Sequence, residues 1–135
     1  MKTNKFRAWD VENEVMVYPD YNDDHYIMSI EGGELVLLES NMLRTGYHPV
    51  NAVFQEYLLY TDSEGNALCE GDIVSDGYEV GVVKFGKYDS QYHENVLGFY
   101  LDCGDKVYDI SVCAGNTPID KVGNIYENPE LDPLT

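Results

Sequence analysis

No apolar run in this sequence approaches the ~18 residues that a bilayer-spanning helix requires. Cysteine is scarce too. Cys69, Cys103 and Cys113 make an odd set of three without a CxxC spacing, which argues against a disulfide framework and against a cysteine-rich zinc site. Reduced thiols in a cytosol are the simplest account. The start, "MKTNKFRAWD", carries early lysines but no apolar core of a signal peptide. The expectation is a soluble, cytoplasmic protein. Basic residues are the third shortage: 8 Lys and Arg stand against 25 Asp and Glu, a formal charge of -17. Such a surface repels phosphate backbones and anionic lipid, so direct binding to nucleic acid or membrane is disfavoured. The excess acid serves solubility, or, as a sharper alternative, imitates DNA toward a basic protein.

Motifs that cradle phosphate are also absent. "EGGE" and "EVGVV" contain glycines but neither GxGxxG nor GxxxxGK[ST], and there is no nucleophile elbow. The best metal candidate is "DYNDDHYIMSIE". Asp20, Asn22, Asp24 and Glu31 fall at positions 1, 3, 5 and 12 of a calcium loop, with Ile27 at the apolar position 8. His25 occupies the position where that loop needs glycine, and Pro19 and β-prone flanks deny it its helices. An acidic surface loop is the expectation, with no metal site. His25, His48 and His93 lie far apart beside polar residues, which suits solvated imidazoles. No spacing favours a Cys–His nucleophile pair. Neither catalytic residues nor a cofactor site are expected, and the protein is not read as an enzyme.

What is present is apolar and aromatic. Hydrophobic residues make up 44% of 135 positions, and there are 12 tyrosines, enough for a folded core. Tyr57, Tyr60, Tyr78, Tyr88, Tyr92, Tyr100, Tyr108 and Tyr126 crowd the second half. Small barrels bind single strands by stacking bases on aromatics, but that mode needs a basic groove. Here Lys84, Lys87, Lys106 and Lys121 are outnumbered by acids. Tyrosine is equally suited to protein interfaces and cores, and that is the expectation.

The chain reads as a series of short strands. "KFRAWD" and "VMVY" flank the turn "VENE", and "HYIMSI" and "LVLL" flank "EGGE". Gly32-Gly33 suits a primed two-residue hairpin turn, because both positions can take φ > 0. Residues 40–60 remain open: Asn51 could cap a short helix carrying Val53, Phe54, Tyr57 and Leu58, or Gln55 to Tyr60 could form a strand. "YLLYT" and "NALC" flank "DSEG", where Gly65 supplies the left-handed position of the loop. Then come Ile73-Val74, a strand over Val80–Phe85, and a hairpin of "VLGFYLD" and "KVYDISV". "KVGNIYE" closes the series. As a strand it would alternate Val122, Asn124 and Tyr126 against Gly123, Ile125 and Glu127, bury Ile125 or Tyr126, and end at Asn128-Pro129. Strands at intervals of roughly 8–12 residues predict a small barrel.

Three collinear stretches together resemble one family. Phe6, Arg7, Trp9 and Asp10 form the first match. Asp62, Gly65, Glu70, Gly71, Asp72, Ile73 and Val74 form the second. Gly123, Asn124, Ile125, Tyr126, Glu127, Asn128 and Pro129 form the third. The set resembles the YopX family of phage and prophage proteins from Gram-positive bacteria. Tyr57-Leu58-Leu59-Tyr60 stands where that family usually has Tyr-Thr-Gly-Leu. The resemblance implies a phage-encoded homo-oligomer with a Src-homology-3-like barrel, and it carries over no catalytic residue. The expected organisation is therefore mainly β. An N-terminal hairpin region spans 1–54, a Src-homology-3-like barrel spans 55–130, and a tail spans 131–135. The expected function is non-enzymatic: self-association and binding of another host or phage protein. An acidic DNA-mimic inhibitor of a host enzyme is the alternative.

Overall fold

Turn chemistry cuts this chain into short antiparallel strands. A computed structural model describes residues 6–19, 25–40, 46–110 and 118–134. The protein is mainly β, as the alternating pattern predicts. It divides into two compact units between Glu56 and Tyr57, where the sequence had suggested a boundary between residues 54 and 55.

In the first unit, β1 (Phe6–Asp10) pairs with β2 (Val15–Val17) and with the first half of β6 (Ala52–Thr61). A second sheet has the order β3 (Tyr26–Glu31), β4 (Glu34–Ser40), β5 (Tyr47–Val50). The β3–β4 hairpin closes on Gly32 and Gly33 at φ 61° and 84°, so the glycine pair takes the left-handed turn the sequence pattern required. Ala8, Val17, Tyr26 and Leu37 form the buried cluster, with Met28, Val50, Ala52 and Phe54 packed against it. The open question over residues 40–60 resolves to strand in the described part: β5 and β6 take Tyr47–Val50 and Ala52–Thr61, and no helix forms there. Residues 41–45 lie outside the described residues. Arg7 and Gln55 are opposite each other in the β1–β6 register. Both are buried, and Arg7 Nε donates to Gln55 Oε1 at 3.0 Å. A cross-strand pair of this kind holds Ala52–Glu56 extended by a contact that no local propensity reveals.

The second unit is a curled antiparallel sheet, the barrel-like fold the sequence predicts. Its order is β11 (Val107–Asp109), β10 (Val96–Asp102), β9 (Val80–Tyr88), β8 (Asp72–Ser75), β12 (Asp120–Asn124). The outer half of β6 pairs with β7 (Ala67–Cys69) through a register irregularity. Leu58, Leu68, Val74, Val83, Leu101, Ile110 and Ile119 are the buried core. Gly81 faces that core. A Cβ there would stand 2.8 Å from both Leu101 Cγ and Cys103 Sγ, so the position needs glycine for space.

The end of the chain corrects one expectation. "KVGNIYE" is a strand only as far as Asn124; Ile125–Glu127 form a turn. Asn124 itself stops the strand: its Oδ1 accepts the N–H groups of Tyr126 at 3.0 Å and Glu127 at 2.8 Å. This side-chain-to-backbone bonding competes with the ladder and starts a turn. Asn124 is buried, whereas Ile125 and Tyr126 are only half-buried. Asn128-Pro129 instead opens a single 3₁₀ turn, Pro129–Leu131.

Candidate functional site

Three acids among the residues that carried the family resemblance, Asp10, Asp62 and Asp72, are buried polar staples. Asp10 Oδ1 accepts the N–H groups of Glu12 and Asn13, and its Oδ2 accepts the Asn13 amide at 2.7 Å and the Tyr26 hydroxyl at 2.7 Å. Asp62 does the same for the β6–β7 turn. It accepts the N–H of Glu64 and Asn66, the Asn66 amide, and the N–H of Lys121, 59 positions away. Asp72 accepts the Cys69 N–H at 2.8 Å and lies 3.3 Å from the Lys121 ammonium. Asp10, Asp62 and Asp72 are buried, as buried carboxylates are when hydrogen-bonded to ordered donors. Burial pushes the Asp10 and Asp62 carboxyls up, but the hydrogen bonds outweigh it and hold both below the ordinary carboxylate range. These acids organise turns, which is why short polar segments with few apolar contacts hold their shape.

Of the calcium-loop spacing weighed and set aside in residues 20–31, only the second half can be described. Asp20, Asn22 and Asp24 lie outside the described residues. Ile27 and Glu31 lie on strand β3, paired with β4, so the second half of the stretch is extended instead of wrapped. Among the described residues no group of three or more His, Cys, Asp or Glu is placed to hold a metal ion.

Each histidine sits beside a carboxylate, which the sequence spacing did not suggest. His25 Nε2 lies 2.8 Å from Glu39 Oε2, and His48 Nε2 lies 3.6 Å from Glu39 Oε1. Glu39 and His48 are register partners on β4 and β5. In the second unit the β9–β10 loop folds onto buried Asp109. Tyr88 Oη donates to Asp109 Oδ1 at 2.7 Å, and Ser90 Oγ donates to Oδ2 at 2.8 Å. His93 Nδ1 lies 2.9 Å from Oδ2. Burial raises the Asp109 carboxyl, and hydrogen bonds from His93, Tyr88 and Ser90 more than reverse it, leaving it ionised. The same burial, with the Asp109 contact, pushes the Tyr88 phenol up to about 12. Ser90 Oγ bonds Asp109 and the local backbone of Tyr92 and His93, so Asp109 orders the loop and no nucleophile relay runs from serine to histidine. Asp109 was missed in the sequence because its partners lie 16 to 21 positions away.

Of the cysteines, Cys69 is buried and Cys103 half-buried; Cys113 lies outside the described residues. The tyrosines divide. Tyr88 and Tyr100 stack with centroids 4.8 Å apart, while Tyr78 and Tyr92 are exposed. Lys84, the cation beside this stack in the β9–β10 ladder, is held by Asp102 at 2.9 Å. A basic groove for single strands is therefore not formed by that lysine.

The feature with the character of an interaction surface lies on the other face of the same ribbon. Val83 and Leu101, register partners, point into the core. Two and four residues further along, the pairs Phe85–Phe99 and Lys87–Leu97 continue that face. Phe99 still packs against the core, and Phe85 meets it edge-on at 4.9 Å. Phe85 is 50% exposed and Leu97 65%. The core face of the sheet thus runs out past its cover and ends in an apolar patch flanked by Lys87.

Comparison with known proteins yields two findings. The model of the family described as YopX protein matches residues 5–131. Among solved structures, the crystal structure of protein EF1440 from Enterococcus faecalis is similar in fold, with a TM-score of 0.55 at 22% identity over 97% of each chain. No curated protein matches the chain.

Proposed function

Since the chain belongs to the YopX family by a match over residues 5–131, we propose that it is a non-enzymatic phage or prophage accessory protein that acts by self-association and by binding another protein. The observation that carries this reading is the exposed Phe85, Leu97 and partly covered Phe99 on the outer end of the β9–β10 ribbon. Aromatic and aliphatic side chains that continue a core face into solvent supply the apolar centre of an interface. Lys87 opposite Leu97 places one cation at the edge of this patch, where a carboxylate of a partner, including one on a second copy, can pair with it at close range.

The alternative, an inhibitor that imitates DNA, draws less support. Mimicry needs carboxylates in rows toward solvent; Asp10, Asp62, Asp72, Asp102 and Asp109 are turned onto donors of their own chain and are removed from any such array.

Light scattering of the full chain tests the reading. The wild type is expected to exceed 15.3 kDa at micromolar concentration, and Leu97→Asp with Phe85→Ser to lower the mass while the circular dichroism stays unchanged. Moderate salt leaves the wild-type assembly intact, because screening relieves repulsion between acidic protomers. A wild type that is monomeric throughout, or a double variant that assembles as well as wild type, refutes the proposal for this surface.

A further inference from the structure

A cavity of about 310 Å³ opens beside the β9–β10 loop, lined by Asp89, Ser90, Gln91, Lys106, Val107 and Tyr108. This volume is at the lower end for small-ligand sites. Its two walls come from different segments. The loop wall carries Asp89 and Gln91; the other carries Lys106, which precedes β11, and Val107, while Tyr108, the register partner of core-facing Leu101, turns its ring to the core.

Asp89, Gln91 and Lys106 are exposed, and Lys106, like Lys87, differs from the unit's other two lysines. Lys84 and Lys121 are held by Asp102 and Asp72. The Lys106 ammonium and the Gln91 amide have no partner among the described residues, and Asp89 spends only Oδ1, on the Asn95 N–H at 2.6 Å. Among the described residues, one cavity therefore presents a solvated cation, a carboxylate oxygen and an amide with no protein partner. The walls are also held in place: Asp109 clamps the loop through Ser90 and His93, and Tyr108 Oη is fixed on Glu79. A site whose supports are already ordered loses less entropy when a ligand arrives.

The chain's charge of -17 narrows the ligand. A net anion is repelled by the whole molecule, and a net cation is attracted everywhere on it. A zwitterion feels little of either, and gains only where opposite charges face it at close range. We propose that this cavity binds a small zwitterion, of which a free α-amino acid is the simplest, with its ammonium on Asp89, its carboxylate on Lys106 and the Gln91 amide, and its side chain against Val107. This is independent of the self-association reading, because Phe85 and Leu97 are not part of the cavity wall.

Nuclear magnetic resonance titration of the isotope-labelled full chain tests it, using leucine, leucinamide (no carboxylate) and N-acetylleucine (no ammonium). Leucine is expected to give saturable shifts centred on residues 89–91 and 106–108. Each blocked analogue should bind at least about tenfold more weakly, the size of one lost charged contact. Lys106→Met should erase the preference of leucine over leucinamide. Asp89→Asn, which keeps an oxygen for Asn95, should erase the preference over N-acetylleucine. The spectra themselves report whether each variant is folded. Shifts that grow without saturating, or equal binding of leucine and its blocked analogues to the wild type, overturn the proposal. So does the absence of any saturable response to leucine, glycine and glutamate alike.

Discussion

Asp62→Ala probes the central physical idea, that buried carboxylates hold this fold's turns. The substitution removes one carboxylate and the four hydrogen bonds it accepts, from Glu64, Asn66 twice and Lys121. A hydrogen bond to a charged group contributes ~1.5–3 kcal/mol when its partner cannot be rehydrated. Glu64 and Asn66 are exposed, so their N–H groups regain water and count for little. The contact with Lys121 N–H, which ties the β6–β7 turn to β12, cannot be replaced as easily, and the turn itself loses its organiser. The net cost comes to about 2–4 kcal/mol, a large share of a small domain's stability. With a urea slope of ~2 kcal/mol per molar, the middle of the usual range, the unfolding midpoint followed by far-ultraviolet circular dichroism should fall by about 1–2 M. Asp62→Asn keeps one oxygen but turns an amide toward the donors of Asn66 and Lys121, so it should recover only part of the loss. Glu64→Ala, in the same turn and exposed, should stay within ~0.5 kcal/mol. If Asp62→Ala and Glu64→Ala unfold at the same urea concentration, the turn is held by backbone preference alone and the reasoning fails.

Acid should destabilise the protein by the same contacts. Asp10, Asp62, Asp102 and Asp109 are each pushed up by burial and then held below the ordinary range by hydrogen bonds. Their contribution is therefore complete above the unfolded value near ~3.9 and is lost as pH falls through the folded one. Thermal unfolding at pH 6 and pH 3 should show the drop, and Asp62→Ala should flatten it. Tyr88 works in the opposite direction. Its phenol is raised to about 12, so its share of stability is present below pH ~10 and is lost as pH climbs toward the folded value. Ultraviolet titration should show one late-ionising tyrosine missing in Tyr88→Phe. Ile125→Ala should cost only about 1–2 kcal/mol because the side chain is half-buried, whereas Leu68→Ala, fully buried, should cost ~2–5 kcal/mol. Equal denaturation midpoints for the two would contradict the burial difference. Gly123→Ala places a methyl 2.5 Å from Asn128 Oδ1, the atom that accepts the Asn124 N–H. It should lower the stability by ~1 kcal/mol, and Asn128→Ala should relieve the clash in the double variant.

Much of this architecture was legible in the residues themselves. Gly32-Gly33 demanded a hairpin because only glycine takes that turn at no steric cost, and alternation in Val80–Phe85 or "VLGFYLD" demanded strands with one buried face. Local chemistry was enough wherever a turn or a face is determined by neighbours in sequence. It failed where the deciding partner is remote. Residues 52–56 are equally compatible with a helix face and with a strand; pairing with β1 and the Arg7–Gln55 contact make them strand. "NIYENP" looked like strand to its proline, but Asn124, once buried, captures two N–H groups and turns the chain first. The cluster on Asp109 and the cavity beside it draw on segments separated by a full hairpin, and their chemistry exists only after β9, β10 and β11 are side by side. The sequence by itself determined strands, turns and acidity. Which acids are buried, which aromatics remain exposed and which lysines remain unspent were decided by tertiary packing, because burial and pairing are properties of distances between residues that the order of the chain does not contain.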